Sequence, residues 1–254
     1  MKRIKIFKRD VFGHIILIKR FLIFFIGILT FPRFNWLNKI KVEGTGNLEG
    51  LEDRNVLFVS NHQTYFADVL AISHVFCSVR WGFKNKVSNP IYLLSPRVNT
   101  YFIAAEETMK AGWLPKIFAY AGSVSIKRTW REAGKDINRK VEMGDIRNIG
   151  DALNDGWVIT FPQGTTTPFV PGRRGTTHII KKFKPVVIPV VINGFRRAFD
   201  KKGLKLKKTG TTLSIKFKKP MQIDYEGDAD IILSQVMRAI EQSEKFSLIK
   251  TSSR

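Results

Sequence analysis

The chain has 254 residues, 44% of them hydrophobic and 25% charged, enough for one α/β domain that buries about three-quarters of its unfolded surface. That balance excludes a disordered or fibrous protein, and a single cysteine, Cys77, excludes an internal disulfide framework. Forty-three Lys and Arg against 21 Asp and Glu leave a formal net charge of +22, a field that favours an anionic partner such as nucleic acid, acidic lipid head groups or an acidic carrier.

Residues 1–9 carry five cations, and an apolar stretch follows at 14–31. Lys19 and Arg20 interrupt it, so the uninterrupted part from Phe21 to Phe31 is eleven residues, against the ~20 a bilayer span needs. No small-residue cleavage site follows; Pro32 to Trp36 comes instead, which argues against a secretory signal. The expectation is an amphipathic, monotopic anchor over 1–37. Its cations would sit at the head groups, with Phe34 and Trp36 in an interfacial belt. That segment, with no nucleic-acid motif beside it, favours an anionic membrane surface over nucleic acid as partner.

Alternation over Lys39–Glu43 reads as a strand, and Gly44-Thr45-Gly46 as a turn, because the third glycine is misplaced for a dinucleotide loop. Asn55–Ser60 is a buried strand, residues 66–78 have helical spacing, and Val79–Lys84 reads as a further strand. A helical piece near 90–95, strands at Tyr101–Ala105 and Gly122–Ile126, and a helix over 134–154 follow. Trp157–Phe161, Pro185–Ile192 and Leu213–Phe217 are strands, and a last helix spans about 228–243. Lysines crowd 201–219, suggesting a hairpin or loop-strand whose one cationic face clamps anionic head groups or an acidic carrier. Strands alternating with helices predict an α/β fold with a mixed central sheet flanked by helices, the catalytic domain occupying 38–254 behind the N-terminal element.

In such a sheet, sites gather beyond the carboxyl ends of strands. Two ends stand out, Ser60-Asn61-His62 and Phe161-Pro162-Gln163-Gly164. A strand-end histidine with a carboxylate soon after, here His62 and Asp68, suits a general base and the group that fixes its tautomer. With four histidines and no Cys/His cluster, no metal or cofactor is expected. Trp113, Trp130, Trp157 and most phenylalanines read as core, with Phe102, Trp113 and Phe118 as candidates to line an apolar channel.

Four blocks in order then resemble the glycerophospholipid acyltransferase family, which contains the 1-acylglycerol-3-phosphate acyltransferases. They are Asn61-His62 with Asp68; Gly122-Ser123-Val124-Ser125-Ile126-Lys127-Arg128; Phe161-Pro162-Gln163-Gly164-Thr165-Thr166-Thr167; and Ile188-Pro189-Val190. The resemblance implies a lipid O-acyltransferase. His62 would deprotonate the hydroxyl of a lyso-lipid, which attacks the thioester of acyl-CoA or acyl carrier protein at the cytoplasmic face of a membrane. The remaining block residues Gln163, Gly164, Thr165 and Thr166 would bind the acceptor.

Three departures from the family pattern matter. Five residues, not four, separate His62 from Asp68; on a regular helix the extra one would turn the carboxylate by ~100°, so an irregular turn at Gln63-Thr64 is required. Gln163 stands where the family has Glu, and Thr166 where it has Arg, a residue suited to gripping phosphate. Either Arg173 and Arg174, or Lys127 and Arg128, supply phosphate contacts instead, or the acceptor is an amino-acid-containing lyso-lipid. A non-catalytic membrane-binding protein of the same fold is the reading from another class.

Overall fold

The computed structural model describes residues 8–110, 112–127 and 142–252, with the short pairs 131–132 and 135–136 between them. Among the described residues, nine strands form two sheets. The main one is seven-stranded, in the order β1 (Lys39–Glu43), β9 (Thr212–Phe217), β8 (Val186–Asn193), β2 (Val56–Ser60), β7 (Trp157–Thr160), β3 (Thr100–Ala105) and β4 (Ser123–Ile126). From β8 to β4 all pairings are parallel; β9 runs against β8 and carries β1 alongside. The sheet is therefore mixed. A two-residue ladder, β5 (Arg131–Glu132) with β6 (Lys135–Asp136), is the second sheet.

Every residue of β2 and β7 is buried, as continuous apolar runs at the centre of a parallel sheet must be. Strand alternation sends Val56 and Phe58 into one core and Leu57 and Val59 into the other. The first core is closed by α1 (Ile16–Asn35), α2 (Ala67–Arg80) and the short α7 (Phe195–Ala198). The second is closed by α5 (Met143–Asp155), α6 (Arg174–Phe183) and α8 (Ala229–Ala239). Two helices with no counterpart in the sequence reading, α3 (Glu106–Lys110) and α4 (Trp113–Gly122), fill the link from β3 to β4, and α9 (Glu244–Ser252) ends the described chain.

The structure corrects several expectations. Val79 and Arg80 continue α2, and the expected strand over 79–84 is a turn: Gly82 donates to Val79 O at a φ of +79° and stops the helix. The helix expected over 134–154 begins only at Met143, and 135–136 pair with 131–132. The helix expected over about 228–243 is α8, which stops at Ala239 ahead of Glu241, whose φ is +59°, and the further helix α9 follows from Glu244. Within 201–219 the loop-strand alternative holds and the hairpin does not: a loop precedes β9, which pairs with β8 and β1. Trp113 is 74% exposed, not core; Trp157 is buried, and Trp130 lies outside the described residues.

Helix α1 is apolar on both sides. Gly27, Phe31 and Phe34 are buried, so Phe34 is a core residue and not a belt residue. Leu17, Phe21, Phe25 and Leu29 repeat every four residues as an exposed stripe. Lys19 is fully buried rather than surface-facing: its ammonium lies 3.1 Å from Asp10 and 4.3 Å from the centre of the Tyr101 ring. Burial lowers the Lys19 pKa, and Asp10 opposes that effect. No helix among the described residues is long and apolar enough to cross a membrane.

Candidate active site

Because β2, β7 and β8 are mutually parallel, the chain leaves Ser60, Thr160 and Asn193 at one edge of the sheet. Asn61 extends the β2–β8 pairing past the last strand residue. Its side chain donates to Ile192 O at 2.9 Å and accepts from Ile192 N at 2.8 Å. That clamp sets where the next residue, His62, begins.

His62 Nδ1 lies 2.9 Å from Asp68 Oδ2. The intervening segment is an irregular series of bends that becomes helical only at Ala67, which absorbs the extra residue. Asp68 is fully buried and acts as its organising centre. Its Oδ2 also accepts from the backbone N–H of Gln63 at 2.5 Å and of Thr64 at 3.0 Å, and its Oδ1 accepts the Thr64 hydroxyl at 2.8 Å. A buried carboxylate needs such a full set of donors, and its place in the first turn of α2 sets it at the positive end of the helix dipole. A carboxylate accepts only, so the tautomer this contact selects has the hydrogen on Nδ1 of His62 and the lone pair on Nε2. Among the described residues Nε2 has no partner. Phe161, just past β7, stacks on the imidazole at 3.8 Å between ring centres and 19° between planes, holding the ring face.

The third block closes on itself. Gln163 is 2% exposed and donates to Val170 O at 2.9 Å; its amide shapes the loop rather than reaching outward. Gly164 has a φ of +63° and donates to Phe161 O, a turn in which a side chain would be strained. Thr165 bonds the Thr167 hydroxyl, and Thr166 is buried.

Two of the four cations named from the sequence, Arg174 and Lys127, are held in ion pairs with acidic side chains. Arg174 makes a two-pronged bond to Asp230 of α8, at 2.9 and 2.5 Å. Lys127 lies 2.9 Å from Glu142, Arg173 donates its backbone N–H to Pro162 O, and Arg128 lies outside the described residues. Arg196, in α7, bridges the loops that follow β2 and β7. Its backbone N–H donates to Gln63 Oε1 at 3.2 Å, and its guanidinium donates to Thr166 O. Sequence reasoning passed over Arg196. The signal was present, since Phe195-Arg196-Arg197 follows directly on the strand containing Ile188-Pro189-Val190, and that strand end belongs to the same sheet edge.

A mostly apolar cavity of about 60 Å³ lies between α1, α2, α4 and β3. Phe66 and Val69, close after His62 in sequence, line it with Gly27, Leu93, Phe102 and Phe118. Of the residues considered for an apolar channel, Phe102 and Phe118 reach it. His74 also lines it, fully enclosed, bonding Thr30 Oγ1 at 2.9 Å and the Tyr92 hydroxyl at 2.8 Å. Burial pushes its pKa down to about 4.

Comparison with known proteins places these features in context. A family model described as acyltransferase matches residues 39–193, well over half of the chain. Among solved structures, the chain is similar to the 1-acyl-sn-glycerophosphate acyltransferase PlsC from Thermotoga maritima, with 21% identity and a TM-score of 0.54 over 91% of this chain and 79% of that one. No curated protein sequence matches.

Proposed function

The chain belongs to the acyltransferase family, and from that membership we propose that it moves an acyl group from a thioester to the hydroxyl of a lyso-lipid at a membrane surface. The observation that carries the reading is the His62–Asp68 pair, bonded at 2.9 Å where three parallel strand ends meet, inside the matched region.

His62 Nε2 takes the acceptor's hydroxyl proton while Asp68 stabilises the imidazolium. The oxygen attacks the thioester carbonyl, the tetrahedral intermediate collapses, the carbon–sulfur bond breaks, and the imidazolium returns its proton to the departing thiolate. The products are an ester and a free thiol. The donor is acyl-CoA or acyl carrier protein, either of which carries negative charge toward a +22 chain. The acyl tail runs into the apolar seam between α1 and α2, where the cavity bordered by Phe66 and Phe118 opens.

The proposed acceptor is 1-acylglycerol-3-phosphate, a substrate of phospholipid synthesis. A lyso-lipid with an amino-acid head group is the second reading, favoured by the neutral Gln163 and Thr166 at the third block. The exposed stripe Leu17, Phe21, Phe25 and Leu29, with Trp36 74% exposed beyond it, is the face proposed to enter the cytoplasmic side of an anionic bilayer, lying in it without spanning. Neither a metal, a cofactor nor nucleic acid has a part in the proposal. The test is turnover by purified protein on anionic vesicles, with acyl-CoA and acyl carrier protein thioesters against a panel of lyso-lipids. Ester formation from one donor and one acceptor supports it; vesicle binding without consumption of any thioester leaves only a membrane-binding protein.

A further inference from the structure

Helix α7 rises from the carboxyl end of β8, next to β2. The turn between them needs Gly194, whose φ is +91° and whose added Cβ would stand 2.2 Å from Thr212 O. Arg196 is thereby fixed between two loops of the active edge. Gln63, which neighbours His62, accepts its backbone N–H, and Thr166, beyond β7, accepts one guanidinium N–H through its carbonyl. A guanidinium has five N–H donors. Among the described residues Arg196 meets no carboxylate, in contrast to Arg174 on Asp230 and Lys127 on Glu142.

The loop that follows is stapled to the same place. Carbonyls of Lys201 and Lys202 accept the N–H groups of Tyr65 and Phe66, both inside the His62–Asp68 segment. Gly203 passes so close to the start of α2 that an added Cβ would lie 2.6 Å from Ala67 N. The one acid in the loop, Asp200, turns its Oδ1 to the N–H groups of Leu204 and Lys205. Lys201, Lys202, Lys205 and Lys207 form no ion pair among the described residues, so the rim beside His62 keeps a net positive field.

We propose that Arg196 binds the oxyanionic head group of the acyl acceptor, phosphate or carboxylate, while the lysines of the 201–208 loop draw that anion to the rim. That the anion belongs to the acyl acceptor rests on the acyl-transfer reading, whereas anion binding at Arg196 stands without turnover. A planar fork with unengaged N–H groups matches either anion in a way an ammonium does not. The backbone bond of Arg196 to Gln63 and the guanidinium's bond to Thr166 O together set the head group's distance from the base, and with it which hydroxyl reaches His62.

Calorimetric titration tests this without turnover. Short-chain, water-soluble 1-acylglycerol-3-phosphate, an N-acyl amino acid bearing a free hydroxyl, and an uncharged monoacylglycerol are titrated into wild type, Arg196→Ala, Arg196→Lys and His62→Ala. Expected is saturable binding of at least one anion to wild type, weakened by about 10- to 100-fold in Arg196→Ala. Arg196→Lys should recover part of that loss, and His62→Ala should keep the affinity; whichever anion binds identifies the head group. The proposal is overturned if Arg196→Ala binds both anions as wild type does, if wild type binds neither, or if the uncharged lipid loses affinity equally. Failure of the acyl-transfer reading appears separately, as absence of turnover in a wild type that still binds the anion.

Discussion

His62 Nδ1 sits 2.9 Å from Asp68 Oδ2 although five residues lie between them. The contact does not depend on helical spacing, because the two backbone N–H groups and the hydroxyl that also bond Asp68 belong to the bends themselves. One carboxylate thus folds the loop and orients the imidazole. Asp68→Asn keeps the shape but turns amide hydrogens toward donors. It should cost about 1–3 kcal/mol of stability and lower kcat by roughly 10²- to 10⁴-fold. Denaturant melts beside steady-state rates separate the two effects; an unchanged kcat contradicts the orienting role.

Gly203 combines a φ of +78° with backbone 2.6 Å from where its Cβ would be. Gly203→Ala should therefore push the 201–208 loop off the start of α2 and disturb the His62–Asp68 contact. A loss of on the order of 2 kcal/mol in stability is expected, together with a fall in kcat. Wild-type activity in this variant would show that the loop's close approach does not matter to the pair.

Gln163 should not tolerate glutamate, even though the family it belongs to uses that residue there. The Gln163 amide donates to Val170 O from a buried position. A carboxylate would face that carbonyl with no proton to give. Gln163→Glu is expected to destabilise the fold by about 1–3 kcal/mol at neutral pH, read as a lower urea midpoint at unchanged m-value; a raised midpoint would contradict the geometry.

His74 predicts an acid-sensitive fold. Its pKa falls from 6.5 to about 4 on burial, so below pH 6.5 the unfolded chain binds a proton that the folded chain does not. Stability is fully present above 6.5 and is lost as pH falls toward 4. At pH 5 this one group should cost about 2 kcal/mol relative to pH 7. Comparing wild type with His74→Gln at both pH values isolates the effect from carboxylate titration; equal losses in the two proteins refute it.

The exposed stripe on α1 predicts that Phe25→Glu with Leu29→Glu, at positions 58% and 72% exposed, leaves folding intact and sharply reduces sedimentation with anionic vesicles. Undiminished vesicle binding would move the membrane contact elsewhere.

How much of this was legible follows from where each signal resides. The buried strands β2, β7 and β8 could be read directly, since continuous apolar runs between turn residues have few other interpretations. Strand ends then located His62 and the third block. Val79–Lys84 misled because its β-branched and aromatic residues suit a strand, whereas Val79 and Arg80 only finish α2 and Gly82, at a φ of +79°, turns the chain. Lys19 misled because a buried partner, Asp10, cannot be inferred from spacing within an apolar stretch. Arg174 and Arg196 are equally arginines in sequence. Only the fold places one on Asp230, 56 residues away, and the other between Gln63 and Thr166.

The most direct test of the account is thioester consumption coupled to ester formation on anionic vesicles, comparing wild type with folded His62→Ala. Ester from wild type and a rate at least 10²-fold lower from the variant is the predicted result. Equal rates in the two proteins would contradict the assignment of His62 as the base.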